Sequence, residues 1–137
     1  MTGGNPTGQR ASVSVTNGPF VGPVLSRFVG MLAARADLPV DRLDDAVLVA
    51  DSIAASAPAH SLEGRVTVEV ETAERQLELH VGPLARGGAE AMLADASIPG
   101  VGNVVERLVD EVWVTGAENG AEAAGTEMLH LRLGFKS

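Results

Sequence analysis

The chain has 137 residues, no cysteine, 10 Lys and Arg against 18 Asp and Glu, and a net charge of -8. That length builds one core of ordinary domain size and is too short for a second. The absence of cysteine excludes disulfides, thiolate metal sites and cysteine nucleophiles. The negative charge, with three Phe, one Trp and no Tyr, speaks against nucleic acid and anionic lipid as partners. The segment MTGGNPTGQRAS lacks the apolar core of a signal peptide, and no apolar run approaches the ~20 residues of a membrane span, so a cytoplasmic protein is expected.

Residues 1–11 are rich in Gly, Thr and Pro and read as a disordered tail, leaving 12–137 as a single α/β domain. Ser12 to Thr16 alternate and predict a short strand that stops at Asn17 and Gly18. Pro23 can open a helix whose apolar stripe is Leu25, Phe28, Val29, Leu32 and Ala36. After the break at Asp37-Leu38-Pro39, the stretch VDRLDDAVLVADSIAASAPAH, Val40 to His60, predicts a second helix. Its stripe is Leu43, Val47, Ala50, Ala54 and Ala57, with Asp41 as N-cap, Asp44 and Asp45 in the first turn and Pro58 as the stop. Ser52 and Ser56 sit four apart on a neighbouring face, with Asp51 one step round.

After Gly64 the period falls from 3.6 to 2. Val66, Val68 and Val70 alternate with Thr67, Glu69 and Glu71, a turn follows at Ala73 to Arg75, and Leu77, Leu79 and Val81 alternate with Glu78 and His80, which predicts a β-hairpin with one wet face. Gly82 to Gly102 carries only a weak helical pattern at Glu90 to Ala94 and reads as a mobile cover. Asn103 can cap a helix through Val104, Val105, Leu108 and Val109; Glu111 to Thr115 form a strand containing Trp113, and Leu129, Leu131 and Leu133 mark the last strand. The order β-α-α-β-β-loop-α-β-β predicts a two-layer α/β sandwich, with an antiparallel or mixed, mostly antiparallel, sheet of about five strands covered on one face by three helices. His60, His80 and His130 are dispersed in the sequence, two of them on wet strand faces, and read as solvated side chains rather than metal ligands. No Ser-His-Asp set is evident, and the GVG triplet lacks the Lys of a phosphate loop.

This order of elements resembles the GHKL, or Bergerat-fold, ATPases of the histidine kinase and Hsp90 type, and among them the anti-sigma-factor serine kinases of the RsbW type. Three stretches carry the resemblance: LPVDRLDDAVLVADSIAASAPAH, similar to the run into the family's N-box; PGVGNVVERLVDEVWV, similar to its glycine-rich box; and GTEMLHLRL, similar to its closing Gly-Thr and last strand. The resemblance implies ATP and Mg2+ as cofactors, a protein partner that is a sigma factor or an anti-sigma-factor antagonist, and a homodimer. The family's general-base Glu falls on Ser52 and its magnesium-binding Asn on Ser56, or, one register over, on Asp51 and Ala55. Its adenine-binding Asp falls on Gly82, and its phosphate-binding positions fall on Gly100, Gly102 and Asn103, with Thr126 following Gly125. A hydroxyl is a poor base and a poor magnesium ligand, so these substitutions imply weak or lost ATP binding and a degenerate, partner-switching regulator. The alternative is an active ATP-dependent serine/threonine kinase using Asp51 as base. On this reading, Ser52→Glu and Ser56→Asn together with Gly82→Asp should restore some nucleotide binding.

Overall fold

A computed structural model describes residues 8–98, 102–116 and 126–134. The chain folds as β1 (Gln9–Thr16), α1 (Val21–Arg35), α2 (Val40–His60), β2 (Arg65–Ala73), β3 (Gln76–Ala85), α3 (Gly88–Asp95), β4 (Ser97–Ile98), β5 (Gly102–Asn103), α4 (Val104–Leu108), β6 (Glu111–Gly116) and β7 (Thr126–Gly134). The main sheet has five strands in the order β1-β2-β3-β7-β6, and β4 pairs with β5 alone. No helix among the described residues is long and apolar enough to cross a membrane.

Every neighbouring pair in the main sheet is antiparallel, so the mixed sheet is not found. The reason lies in the connections. Two helices joined by the short turn at 36–39 lie between β1 and β2, and a helical hairpin returns the chain to the end it left, where a single crossover helix would have made the strands parallel. The crossover through α3 and α4 does leave β6 running parallel to β3, but β7 enters between them and is antiparallel to both.

The core is the alternate residues of three strands packed against the helices. Val66, Val68 and Val70 of β2, Leu77, Leu79 and Val81 of β3, and Leu129, Leu131 and Leu133 of β7 are all buried, as their period of two requires. Burying a Val or Leu side chain contributes about 1.5–3 kcal/mol, so these residues supply much of the driving force for the fold. In α2 the buried face is Ala46, Val49, Ala50, Ile53, Ser56 and Ala57; of the expected stripe, Ala50 and Ala57 lie on it, whereas Leu43, Val47 and Ala54 are only partly buried. Val47 serves a second contact: its Cγ2 stands 3.4 Å from the place a Cβ on Gly30 of α1 would take. The helix has two apolar sides because it lies against both the sheet and α1.

Several boundaries differ from those expected. β1 begins at Gln9, so residues 9–11 belong to the sheet, whereas the rest of the expected tail, 1–7, lies outside the described residues. Pro39, in extended conformation, precedes α2 and its carbonyl accepts the first helical bond from Leu43 N at 2.8 Å, which puts Asp41 inside the first turn instead of at the cap. Pro58 lies within α2; the helix runs on to His60 because Ser61 N still closes the last turn on Ala57 O at 2.8 Å. The segment expected as a mobile cover holds α3, with Ala89 and Met92 buried.

Candidate functional site

Ser52 and Ser56 both face the space under α3, as their spacing of four on a helix demands. They line a crevice closed by Met92 and Leu93 of α3, Val105 of α4 and Leu129 and Leu131 of β7, with a volume of about 10 Å3. That is about the room for one water molecule, whereas sites for small ligands span about 300–1,000 Å3. Ser56 is buried and donates its hydroxyl to the Ser52 carbonyl at 3.2 Å, a bond within the helix. Outside the crevice lies an open cleft of about 360 Å3 walled by Ser52, Ala55, Ser56, Asp95 and Ala96. Among the described residues its formally charged wall residue is Asp95, whose carboxylate stands 3.8 Å from His60 Nε2, so the cleft offers triphosphate a negative neighbour.

Asp51 is not part of this site. It is exposed on the α1 side of the helix, where the Ser26 hydroxyl donates to its carboxylate.

The residues expected to hold phosphate are occupied within the protein. Asn103 caps α4: its Oδ1 accepts from Glu106 N at 3.0 Å, and its Nδ2 donates to Leu93 O at 2.6 Å. Val104 N donates to Ala96 O at 3.0 Å, so two amides of the first turn have protein acceptors, and α4 is only five residues long. Gly102 pairs with Ile98 in the small β4-β5 sheet. Thr126 opens β7 opposite Ala85. Gly100 and Gly125 lie outside the described residues.

Gly82 is buried at an irregularity of β3, where the register to β7 shifts between Val81 and Leu84. Its φ is +152°, and a Cβ there would stand 2.6 Å from Met128 Sδ and 3.0 Å from Glu127 O. A carboxylate side chain has no room at this position. Ser52, Ser56 and Asn103 thus gather around α3, but Asp51 faces elsewhere and Gly82 is sealed against β7.

The histidines of the wet face are neither dispersed nor fully solvated. Register places Ser12, Glu69, His80, His130 and Trp113 in one transverse row on the helix-free face, and Arg10, Glu71, Glu78, Arg132 and Glu111 in the next. His80 Nδ1 and His130 Nδ1 are 2.6 Å apart, Thr115 Oγ1 is 2.7 Å from His130 Nε2, and Trp113 stacks on the His130 ring with centroids 5.2 Å apart. Burial lowers the His130 pKa, the neighbouring His80 lowers it further, and Glu78 opposes them. Arg132 donates to Glu78 at 2.9 Å and also pairs with Glu111, which raises its already high pKa, the Glu78 hydrogen bond being the main cause. Alternation along each strand signals that these residues share a face, but only the register reveals that they meet.

No protein-family model matches the chain, and no curated protein matches it.

Proposed function

We propose that the protein is a regulatory binding module, an anti-sigma-factor-like chain on a degenerate histidine kinase-like ATPase fold. It acts by protein-protein binding and partner switching, with a sigma factor or an anti-sigma-factor antagonist as partner and with little phosphotransfer. The order of elements, with a helical hairpin between the first two strands of a five-stranded sheet, supports the likeness to that fold. The observation that carries the loss of chemistry is the crevice at Ser52 and Ser56. It holds about 10 Å3 and is closed by Met92 and Leu93, and among the described residues the open cleft beside it presents hydroxyls at the base and magnesium positions, with Asp95 its charged wall residue, on α3 and away from the helix face that bears the family's base. The rival kinase reading needs Asp51 as base, and Ser26 holds that carboxylate on the other side of α2.

Isothermal titration with ATP and Mg2+, followed by an ATP hydrolysis assay, tests this reading. The expected result is no saturable binding below millimolar nucleotide and no turnover, since loss of a general base alone costs ~100- to 10,000-fold. Magnesium-dependent phosphorylation of any protein substrate by the purified chain would restore the kinase reading. The same proposal includes a homodimer through the free edges of β1 and β6, where backbone groups have no strand neighbour among the described residues. Light scattering should then give twice the 14.1 kDa of one chain, and a monomer at high micromolar concentration removes the dimer.

A further inference from the structure

The helix-free face of the sheet carries an arrangement that its own hydrogen bonds leave incomplete. His80 projects from β3 opposite Glu69 of β2, and Glu71, two residues further along β2, points to the same face. His80 Nε2 is wholly buried and has no hydrogen-bond partner among the described residues. What surrounds it is acidic: Glu71 Oε2 at 3.5 Å and Glu78 Oε1 at 3.6 Å. Glu71 and Glu78 are themselves direct cross-strand partners, a like-charge pairing that weakens an antiparallel sheet unless something lies between them.

The separations have a meaning of their own. They are long for hydrogen bonds, but ligands about 2.1 Å from a tetrahedral Zn2+ lie about 3.4 Å from one another. Donor atoms of Glu69, Glu71 and His80 fall within 4.8 Å of each other, close enough for small rotations to converge them on one ion. The other ring nitrogen has the partner that a ligating histidine needs. With His130 Nε2–H donating to Thr115 Oγ1, His130 Nδ1 can accept from His80 Nδ1–H, which leaves the lone pair of His80 Nε2 directed at the carboxylates. Charge agrees as well. Glu69, Glu71, Glu78 and Glu111 face Arg10 and Arg132 in these two rows, an excess of two negative charges.

We propose that this face binds one divalent transition-metal cation, Zn2+ fitting best, through His80 Nε2 and the carboxylates of Glu69 and Glu71. Glu78 stands beside the ion, held by Arg132, and a fourth position is open to water or to a group from a partner. Arg10 now bridges Glu69 at 3.6 Å and Glu71 at 2.8 Å; its side chain is 65 % exposed and swings aside when the ion enters. The site is separate from the Ser52 crevice, which lies on the helix-covered face, so it stands or falls independently of the function proposed above.

The test is titration of untagged, chelator-stripped protein with ZnCl2 by calorimetry, with Co2+ absorption as a report of coordination geometry. One equivalent should bind, with the visible bands of four-coordinate Co2+, and His80→Ala should weaken binding at least ~10-fold. Arg10→Ala should tighten it, because it removes the competitor for Glu71; a purely structural role for the cluster would give no such gain. Circular dichroism checks that the variants fold, and Glu71→Gln replaces His80→Ala should the latter unfold. Equal, weak, multi-site isotherms in the wild type and the variants would overturn the proposal.

Discussion

Gly82→Ala tests the packing at the strand irregularity where β3 meets β7. Two costs combine. At φ +152° a Cβ-bearing residue sits in a region nearly restricted to glycine, which costs about 1–3 kcal/mol. The new methyl also lands 2.6 Å from Met128 Sδ, which can move, and 3.0 Å from Glu127 O, which is backbone in the β3-β7 ladder and can move only by disturbing that pairing. Overpacking of this kind costs a further ~1–3 kcal/mol. A total near 2–6 kcal/mol, with a urea m-value of about 2 kcal/mol/M, lowers the unfolding midpoint by roughly 1–3 M. That is a large share of the ~5–15 kcal/mol that holds a domain of this size together. Equilibrium urea unfolding followed by circular dichroism measures it, and a change smaller than ~0.5 kcal/mol would refute the packing argument. The corollary corrects the rescue expected from sequence. Gly82→Asp adds a buried charge to the same overlap, so the triple variant with Ser52→Glu and Ser56→Asn should fail to fold before it can bind ATP.

Other expectations follow from single side chains. Arg42 donates to Gly134 O, Leu108 O, Asp45 and Asp110, joining the start of α2 to the ends of α4 and β7; Arg42→Met should cost about 2–4 kcal/mol in urea unfolding, less than the sum of its bonds because exposed Asp110 regains water. Asn103→Ala removes the cap of α4 and its bond to Leu93 O and should cost ~1–2 kcal/mol, seen as faster amide exchange in α3 and α4. Ser56→Ala should change stability by less than ~0.5–1 kcal/mol, because its hydroxyl bonds only within its own helix, and a larger loss would point to a polar role for the crevice.

The parts of the fold legible in sequence are those with a strong period. Val66 to Val70, Leu77 to Val81 and Leu129 to Leu133 announce buried strand faces because one face is covered and the other is not, and the structure buries them all. The reading weakened where an element has two neighbours. The stripe expected for α2 falls between the face toward the sheet and the face toward α1, since a helix packed on both sides has apolar residues around much of its circumference. Pro58 signals a stop because a proline forbids one bond, yet a helix within three residues of its end has few bonds left to lose. The segment after Gly82 gave little signal for a more basic reason: Ala89 and Met92 are held by α2 and β3 rather than by any pattern of their own.

The sites divide along the same line. Spacing on one helix placed Ser52 and Ser56 together, since four residues on a helix fix a direction regardless of tertiary structure. Whether the space before them is open depends on how far Met92 and Leu93 reach from another element, and no local pattern encodes that distance. The open-face cluster is the converse case. Glu69, Glu71, Glu78, His80 and His130 each alternate as a wet face should, and each read alone is a solvated side chain. Their meeting depends on β7 inserting beside β3 with Leu79 opposite Leu131, which brings His80 against His130 and Glu78 against Arg132. A slip of that register by one residue would have sent the same side chains into the core, so the burial of Leu77, Leu79, Leu131 and Leu133 is also what assembles the polar rows on the other side.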